Sequence, residues 1–342
     1  MNTGDYAVII AILIYFMVVL IIGFSYARRA NKSSSEYFLG GRKVGPWFTA
    51  LSAEASDMSG YLLMGLPGLA YFTGAADAGW TCIGLALGTY FNWLLVAKRL
   101  RRYSEKANDS ITLPGFYSNR FHDTKNVVST VAAVIILIFF CVYTGSCFVT
   151  CGKLFNTLFG MDYTVMMIFG AIIVFLYTMV GGYLSVVATD FVQGCLMFFA
   201  LAVVVIGSIA MAGGVENTAA FLSDIPGYLS MVQTATPEVD ADGVQYMIGG
   251  APIFGIPAEY GLLTIISTLS WGLGYFGMPQ VLVRFMGIRN DSEIKTSRRI
   301  AIVWVVVSMF CAIMIGIIGR YLFPAQYLTQ SCLLYTSDAA DE

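Results

Sequence analysis

Eight stretches of this chain are apolar over about the length a helix needs to cross a membrane: roughly 6–27, 47–70, 78–98, 127–149, 163–182, 191–213, 259–279 and 300–322. About 20 residues at 1.5 Å each span the ~30 Å hydrocarbon core. With no water there, a spanning backbone must pair its own N–H and C=O groups, as a helix does. The pattern predicts an all-α polytopic membrane protein. Composition agrees: 58% of the 342 residues are apolar and 12% are charged, against about 25% charged in soluble domains. A net charge of −2 offers no basic field for nucleic acid. The N-terminus does not read as a cleaved signal peptide. Its first five residues hold Asp5 and no Lys or Arg, and the apolar run that follows is too long.

Orientation follows from the basic residues. The 28–46 connection carries Arg28, Arg29, Lys32, Arg42 and Lys43. The 98–125 connection carries Lys98, Arg99, Arg101, Arg102, Lys106, Arg120 and Lys125. The 280–299 connection carries Arg284, Arg289, Lys295, Arg298 and Arg299. Together they hold 17 of the 19 Lys and Arg, and eight spans put all three on one side. The positive-inside rule makes that side cytoplasmic and the N-terminus external. The 214–258 connection has five acids and no Lys or Arg, as an external loop can.

Two spans are interrupted. Ser52–Gly68, SAEASDMSGYLLMGLPG, sets Glu54 and Asp57 in an apolar run and then breaks it with Gly60, Gly65, Pro67 and Gly68. A charge at membrane depth costs about 2.5–3.5 kcal/mol on insertion scales, so it faces a cavity or a partner. Unwound backbone beside it frees carbonyls and amides, which suit a cation and a small anionic group at one place. Sodium is a hard cation that takes oxygen ligands. Amides near Ser59 and Gly60, at the start of the following half-helix, suit a carboxylate. The plainer alternative for Asp57 is a helix cap. Glu54 reads as structural or cavity-lining. The other interruption is Trp271–Pro279, WGLGYFGMP. Trp271 and Tyr275 stand four apart, on one face of a helix, and form either an aromatic wall for a solute or ordinary packing. The interrupted spans are the second and the seventh. Five apart is an odd number, so two five-span halves would be inverted in the membrane, the arrangement that places a binding site near the midplane.

Other motifs carry less. Gly272, Gly274 and Gly277 match GxGxxG, but no strand precedes them, so the dinucleotide reading fails. Gly84 and Gly88 read as close helix packing. Lys98–Arg102 reads as a membrane-surface anchor. Cys147 and Cys151 share a helix face with no histidine near in sequence, and the single histidine, His122, lies in a polar loop. A membrane enzyme would want more, and no GxxxxGK[ST] motif is present.

FLGGR at 38–42, LSAEASDMSGYLLMGLPG at 51–68, ATDFVQ at 188–193 and WGLGYFGMP with VRFM at 271–286 together resemble the sodium/solute symporter family, nearest its proline-carrying branch. The resemblance implies the inverted five-plus-five, LeuT-like transporter fold, here with about eight helices of some thirteen. It implies a sodium-coupled importer of a small carboxylate solute, L-proline first, pantothenate or another small carboxylate next. It implies no cofactor beyond sodium as coupling ion, and a setting in a bacterial plasma membrane. A transporter-like module of a membrane sensor is the reading from another class. By the same resemblance, Ala55, Asp57, Met58 and Ser59 match sodium-site positions, the first and third through their carbonyls. Ser59, Gly60, Tyr61, Tyr143, Trp271, Tyr275 and Pro279 match substrate-side positions. Tyr61 stands where the proline branch commonly has Trp. Arg42 and Asp190 match residues tied to ion coupling on the cytoplasmic side.

Residues 1–331 read as one transmembrane domain. Cys332–Glu342 reads as the translation of a transposon-end sequencing adaptor, foreign to the fold. Two five-span halves need ten core spans, and only seven follow the first helix. The 342-residue chain, expressed in cells lacking proline uptake beside a full-length relative, is therefore expected to show no sodium-dependent accumulation of labelled proline. Robust uptake at equal membrane abundance would contradict this. The source gene, read past codon 331, is expected to continue into further apolar spans.

Overall fold

The computed structural model describes residues 3–239, 245–249 and 251–323. The Cys332–Glu342 tail lies outside them. Among the described residues, five helices are long and apolar enough to cross a membrane: Val8–Ala30, Ala75–Lys106, Val127–Thr157, Tyr163–Met211 and Asp291–Leu322. The fourth has 49 residues, about 74 Å of helix, more than twice a hydrocarbon core. It accounts for two spans because it breaks at Gly182, whose φ of 60° and ψ of −158° are not helical. The two spans expected to be interrupted are both broken. The sequence reading left 183–190 outside any span. The structure restarts the helix directly after Gly182, so Asp190 sits within a helix.

The chain forms two compact units. The first comprises Met1–Asp57, Trp93–Gly194 and Met278–Ile300; the second comprises Met58–Asn92, Cys195–Gly277 and Ala301–Glu342.

The first unit contains α1 (Thr3–Ala30), α2 (Ser34–Leu39), α3 (Pro46–Asp57), α6 (Lys98–Lys106), α7 (Leu113–Phe121), α8 (Val127–Phe159), the first part of α9 (Tyr163–Met211) and α12 (Pro279–Gly287). Helix α3 packs on α12, and α12 also meets α6. Val19 of α1 buries against Ile173 and Tyr177 of α9. Gly182 allows the break: its φ is left-handed, and a Cβ there would press on the main chain of Tyr37. Ser33 caps α2 by accepting the Glu36 N–H at 3.1 Å. The chain then passes through Gly40, Gly41 and Arg42, all at positive φ. A Cβ at Gly41 would collide with the Glu36 carboxylate. Lys43 at 2.8 Å and Arg29 at 3.1 Å hold that carboxylate and keep it below the usual range, Lys43 contributing most.

The second unit contains α4 (Leu66–Thr73), α5 (Ala75–Phe91), α10 (Val215–Ser223), α11 (Leu262–Ser270), most of α13 (Ile294–Leu322) and the remainder of α9. The described residues of the long 214–258 connection carry structure of their own. Two short antiparallel pairs nest in it: β1 (Gln233–Thr234) with β4 (Ala258–Glu259), and β2 (Met247–Ile248) with β3 (Ala251–Pro252). This ribbon straps the end of α4. Tyr228, fully buried, donates its hydroxyl to the Ala70 and Tyr71 carbonyls at 2.8 and 3.0 Å. Ala235 N–H bonds the Thr73 carbonyl at 3.0 Å. Arg320, 1% exposed, reaches Gln245 at 2.7 Å between the rings of Tyr71 and Phe254. Charged guanidinium over aromatic faces is favourable where water is scarce.

Gly84 and Gly88 do serve close packing. A Cβ at Gly84 would meet the main chain of Leu269, and one at Gly88 the main chain of Gly272. Overpacking a tight contact costs about 1–3 kcal/mol. Gly88→Ala is therefore expected to lower the thermal unfolding midpoint in detergent. An unchanged midpoint would mean the backbones do not approach this closely.

Candidate ion and solute site

Helix α3 ends at Asp57. Two residues on, Ser59 takes a left-handed φ of 45°, which a short polar side chain tolerates better than a bulky one. Its hydroxyl accepts the Tyr61 N–H at 3.3 Å. The helix resumes as a π-turn over Tyr61–Gly65 and only then as α4, with Pro67 in its first turn. Pro67 falls directly after the π-turn, in the first turn of α4, and Leu66 N–H reaches back to the Tyr61 carbonyl. The Met58 carbonyl receives Leu62 N–H at 3.2 Å and the Gly60 carbonyl receives Met64 N–H at 3.0 Å. Each carbonyl retains a second lone pair. The second break is built differently. After α11, Trp271–Phe276 forms a 3-10 helix, Met278 is extended, and α12 begins at Pro279.

The first unit holds Ala55, Asp57, Tyr143, Asp190, Pro279 and Arg42 of the expected residues. Tyr143 donates its hydroxyl to the Ser56 carbonyl at 3.3 Å, which brings it to the last turn of α3. Asp190, 7% exposed, accepts Ser52 Oγ at 2.6 Å and Ser56 Oγ at 3.0 Å through Oδ2. The same oxygen meets Arg284 Nη2 at 3.0 Å. Arg284 is 8% exposed. Its Nε donates to Ser52 Oγ at 3.0 Å, its Nη2 to Ser56 Oγ at 2.8 Å, and its Nη1 to the Gln280 carbonyl at 2.8 Å. Each hydroxyl thus accepts from the guanidinium and donates to the carboxylate.

The charge count had placed Arg284 among the cytoplasmic loop residues. The structure corrects this, because α12 carries it inward to a carboxylate. Its sequence signal was slight: an arginine in VRFM three residues from the loop, and a partner nearly a hundred residues away.

Arg42 is distant from that cluster in its bonding. It holds Asp109 at 2.8 Å, Ser104 Oγ at 3.0 Å and the carbonyls of Met286 at 2.8 Å and Ser110 at 2.9 Å. Arg101 donates to the carbonyls of Ile288 at 2.7 Å and Arg289 at 3.2 Å. It is 7% exposed. The Lys98–Arg102 cluster was expected to face lipid headgroups; for Arg101 that expectation fails. Arg42 thus takes a carbonyl in the last turn of α12 and Arg101 two carbonyls just past its end, positive groups where the helix dipole is negative. Glu54, 2% exposed, accepts Trp93 Nε1 at 3.1 Å, in keeping with a structural or cavity-lining role.

The second unit holds Met58, Ser59, Gly60, Tyr61, Trp271 and Tyr275. Tyr61 and Trp271 meet edge to face with ring centroids 5.0 Å apart. Tyr275 is 7% exposed, and its carbonyl accepts Asn92 Nδ2 at 2.8 Å. The expectation that Trp271 and Tyr275 share one face assumed α-helical geometry. A 3-10 segment turns about 120° per residue, so positions four apart diverge by a third of a turn. Tyr61 and Trp271 form the aromatic pair instead.

Among the described residues no group of three His, Cys, Asp or Glu gathers as a transition-metal site would need. The donors around the first break are carbonyl, hydroxyl and carboxylate oxygens, the chemistry a sodium ion takes.

The comparisons with known proteins converge. Residues 37–334 match the family model described as "Sodium:solute symporter family". Curated sodium/proline symporters of Staphylococcus aureus strains JH9, NCTC 8325 and N315 are each 42% identical over 319 residues, 93% of this chain. The chain spans 57% of the length of these relatives. The fold resembles a Na+-coupled sialic acid symporter solved in a substrate-bound outward-open state. The TM-score is 0.71 at 18% identity, covering 100% of this chain and 67% of that one. At that identity the likeness carries the fold alone, the LeuT-like helix arrangement that the family resemblance implied. A matched family model spanning most of the sequence, long apolar helices and breaks at the two expected places agree: the chain belongs to the sodium:solute symporter family.

Proposed function

We propose that the complete protein carrying this sequence is a sodium-coupled symporter that imports L-proline by alternating access. It would work in a bacterial plasma membrane with its N-terminus outside. The observation that carries this reading is the break after Asp57, in a chain 42% identical to proteins named sodium/proline symporters. The sodium ion would take the carbonyls of Ala55 and Met58 and the hydroxyl of Ser59, with Asp57 supplying charge. The solute carboxylate suits the amides near Ser59 and Gly60. Tyr61, Tyr143, Trp271, Tyr275 and Pro279 would supply the surface for an apolar ring. Arg42 and Asp190 would act in ion coupling. Each positive charge moving inward gains about 2.3 kcal/mol per 100 mV of membrane potential. That gradient drives uptake without ATP. Tyr61, in place of the Trp common in the proline branch, favours testing pantothenate and other small carboxylates as competitors.

In the complete protein, Asp57→Asn is expected to remove sodium-driven proline uptake almost wholly, while Asp57→Glu retains part of it. Uptake of labelled proline over a sodium titration measures both. Normal uptake with unchanged sodium dependence would reduce Asp57 to a helix cap.

Trp271→Ala is expected to weaken proline binding about tenfold or more and sodium binding little. An aromatic face packs a ring but offers sodium no carboxylate or carbonyl oxygen. Equal losses for the two ligands would point to a folding defect instead.

A further inference from the structure

Helix α12 is nine residues long, and Pro279 forms its first turn. One turn further, Arg284 spends its guanidinium on three directions at once. It holds its own helix through the Gln280 carbonyl, α3 through Ser52 and Ser56, and α9 through Asp190. Ser52 and Ser56 are four apart on one face of α3, and Ser56 immediately precedes Asp57. The last turn of α3 therefore cannot rotate or unwind without breaking hydrogen bonds to a buried charge pair.

A planar fork can serve these four acceptors in fixed directions, whereas an ammonium at the same place is a point charge. Nothing about this residue follows from charge balance alone. A simple ion pair would need Asp190 and Arg284 but not the two hydroxyls threaded between them.

We propose that Arg284 is a positioning residue for the sodium-binding turn. By clamping Ser52 and Ser56 against Asp190, it fixes the backbone that presents Ala55 and Asp57 to the ion. The proposal rests on the symport reading above. It also gives α12 a mechanical role: the helix that starts at Pro279 on the solute side ends its reach on the turn that serves sodium.

The test uses the complete protein and its Arg284→Lys, Arg284→Met and Arg284→Met/Asp190→Asn variants. Two readouts are taken: labelled-proline binding over a sodium titration, and the thermal shift produced by sodium chloride alone against choline chloride. Arg284→Lys is expected to raise the half-maximal sodium concentration about tenfold, with proline affinity at saturating sodium changed less than threefold. Arg284→Met is expected to lose membrane abundance as well, because it strands the Asp190 charge. The double variant removes both charges; its abundance should recover while sodium binding stays weak.

An unchanged sodium midpoint in Arg284→Lys, at equal abundance, would overturn the proposal. So would a double variant whose sodium midpoint recovers together with its abundance, since Arg284 would then be only a charge partner. A wild type that shifts with sodium but binds no proline would refute the solute assignment and leave the Arg284 comparison readable by thermal shift. A wild type with no sodium shift would overturn both.

Discussion

A backbone amide or carbonyl at membrane depth has no water to turn to, and leaving one unpaired costs several kcal/mol. Every departure from regular helix in this chain therefore has to be made good locally. At the first break the repair is made by neighbours in sequence. Ser59 takes up the Tyr61 amide with its side chain, and the π-turn that follows re-engages Met58 and Gly60 one turn on. At the second break a tighter 3-10 coil takes up the Trp271–Phe276 stretch, and Pro279 restarts the helix without needing a donor. The breaks are thus stable structures of their own. They set the spare lone pairs of the Met58 and Gly60 carbonyls beside the Ser59 hydroxyl, where the chain leaves its regular course.

Arginine performs the corresponding task for α12. Arg42 closes the Met286 carbonyl in its last turn, Arg101 holds the chain just past its end, and Arg284 ties its middle to α3 and α9. Buried ion pairs are weak evidence of net stability, because desolvation offsets most of the attraction. Removing one partner is different: it leaves an uncompensated charge and costs about 3–5 kcal/mol. The Asp190–Arg284 pair is satisfied on every side by hydroxyls and a carbonyl, which is the condition under which such a pair specifies geometry. Its value lies in the direction it imposes on the serines.

The parts of the fold that a single chain segment encodes were legible in the sequence. Span lengths, the break at Asp57–Gly60 and the glycine pair at Gly84 and Gly88 are local patterns, and local sterics decide them. Parts that depend on distant partners were not. Arg284 looked like one more loop cation because Asp190 lies 94 residues away, and Arg101 was hidden in a basic cluster for the same reason. The span end at Gly182 was placed, but the restart of the helix was set several residues late, because Ser185, Thr189 and Asp190 interrupt the apolar run that follows. The short strands at 233–259 carry too few residues for period-two alternation to show. The 3-10 geometry at Trp271–Phe276 cannot be told from an α-helix by spacing, so the single face expected for Trp271 and Tyr275 does not follow, and the ring contact of Trp271 with Tyr61 was not foreseen.

On the symport reading, magnitudes decide what kind of element can carry coupling between ion and solute. Coupling free energies between sites run to about 1–3 kcal/mol and must be reciprocal. A typical hydrogen bond contributes about 0.5–1.5 kcal/mol net. Remaking one or two bonds at the α3 break is therefore of the right size, and no large rearrangement of packed core is needed to supply the energy. The Met58 carbonyl is a case in point: its bond to Leu62 N–H is long at 3.2 Å, so an ion drawing on that oxygen would meet a weak competitor. A turn that soft would bind sodium poorly unless something held it nearly in place beforehand, because ordering it would consume the binding energy. The clamp on Ser52 and Ser56 supplies that restraint one turn earlier. It is rigid where the helix must stay and ends where the oxygens must be free to respond.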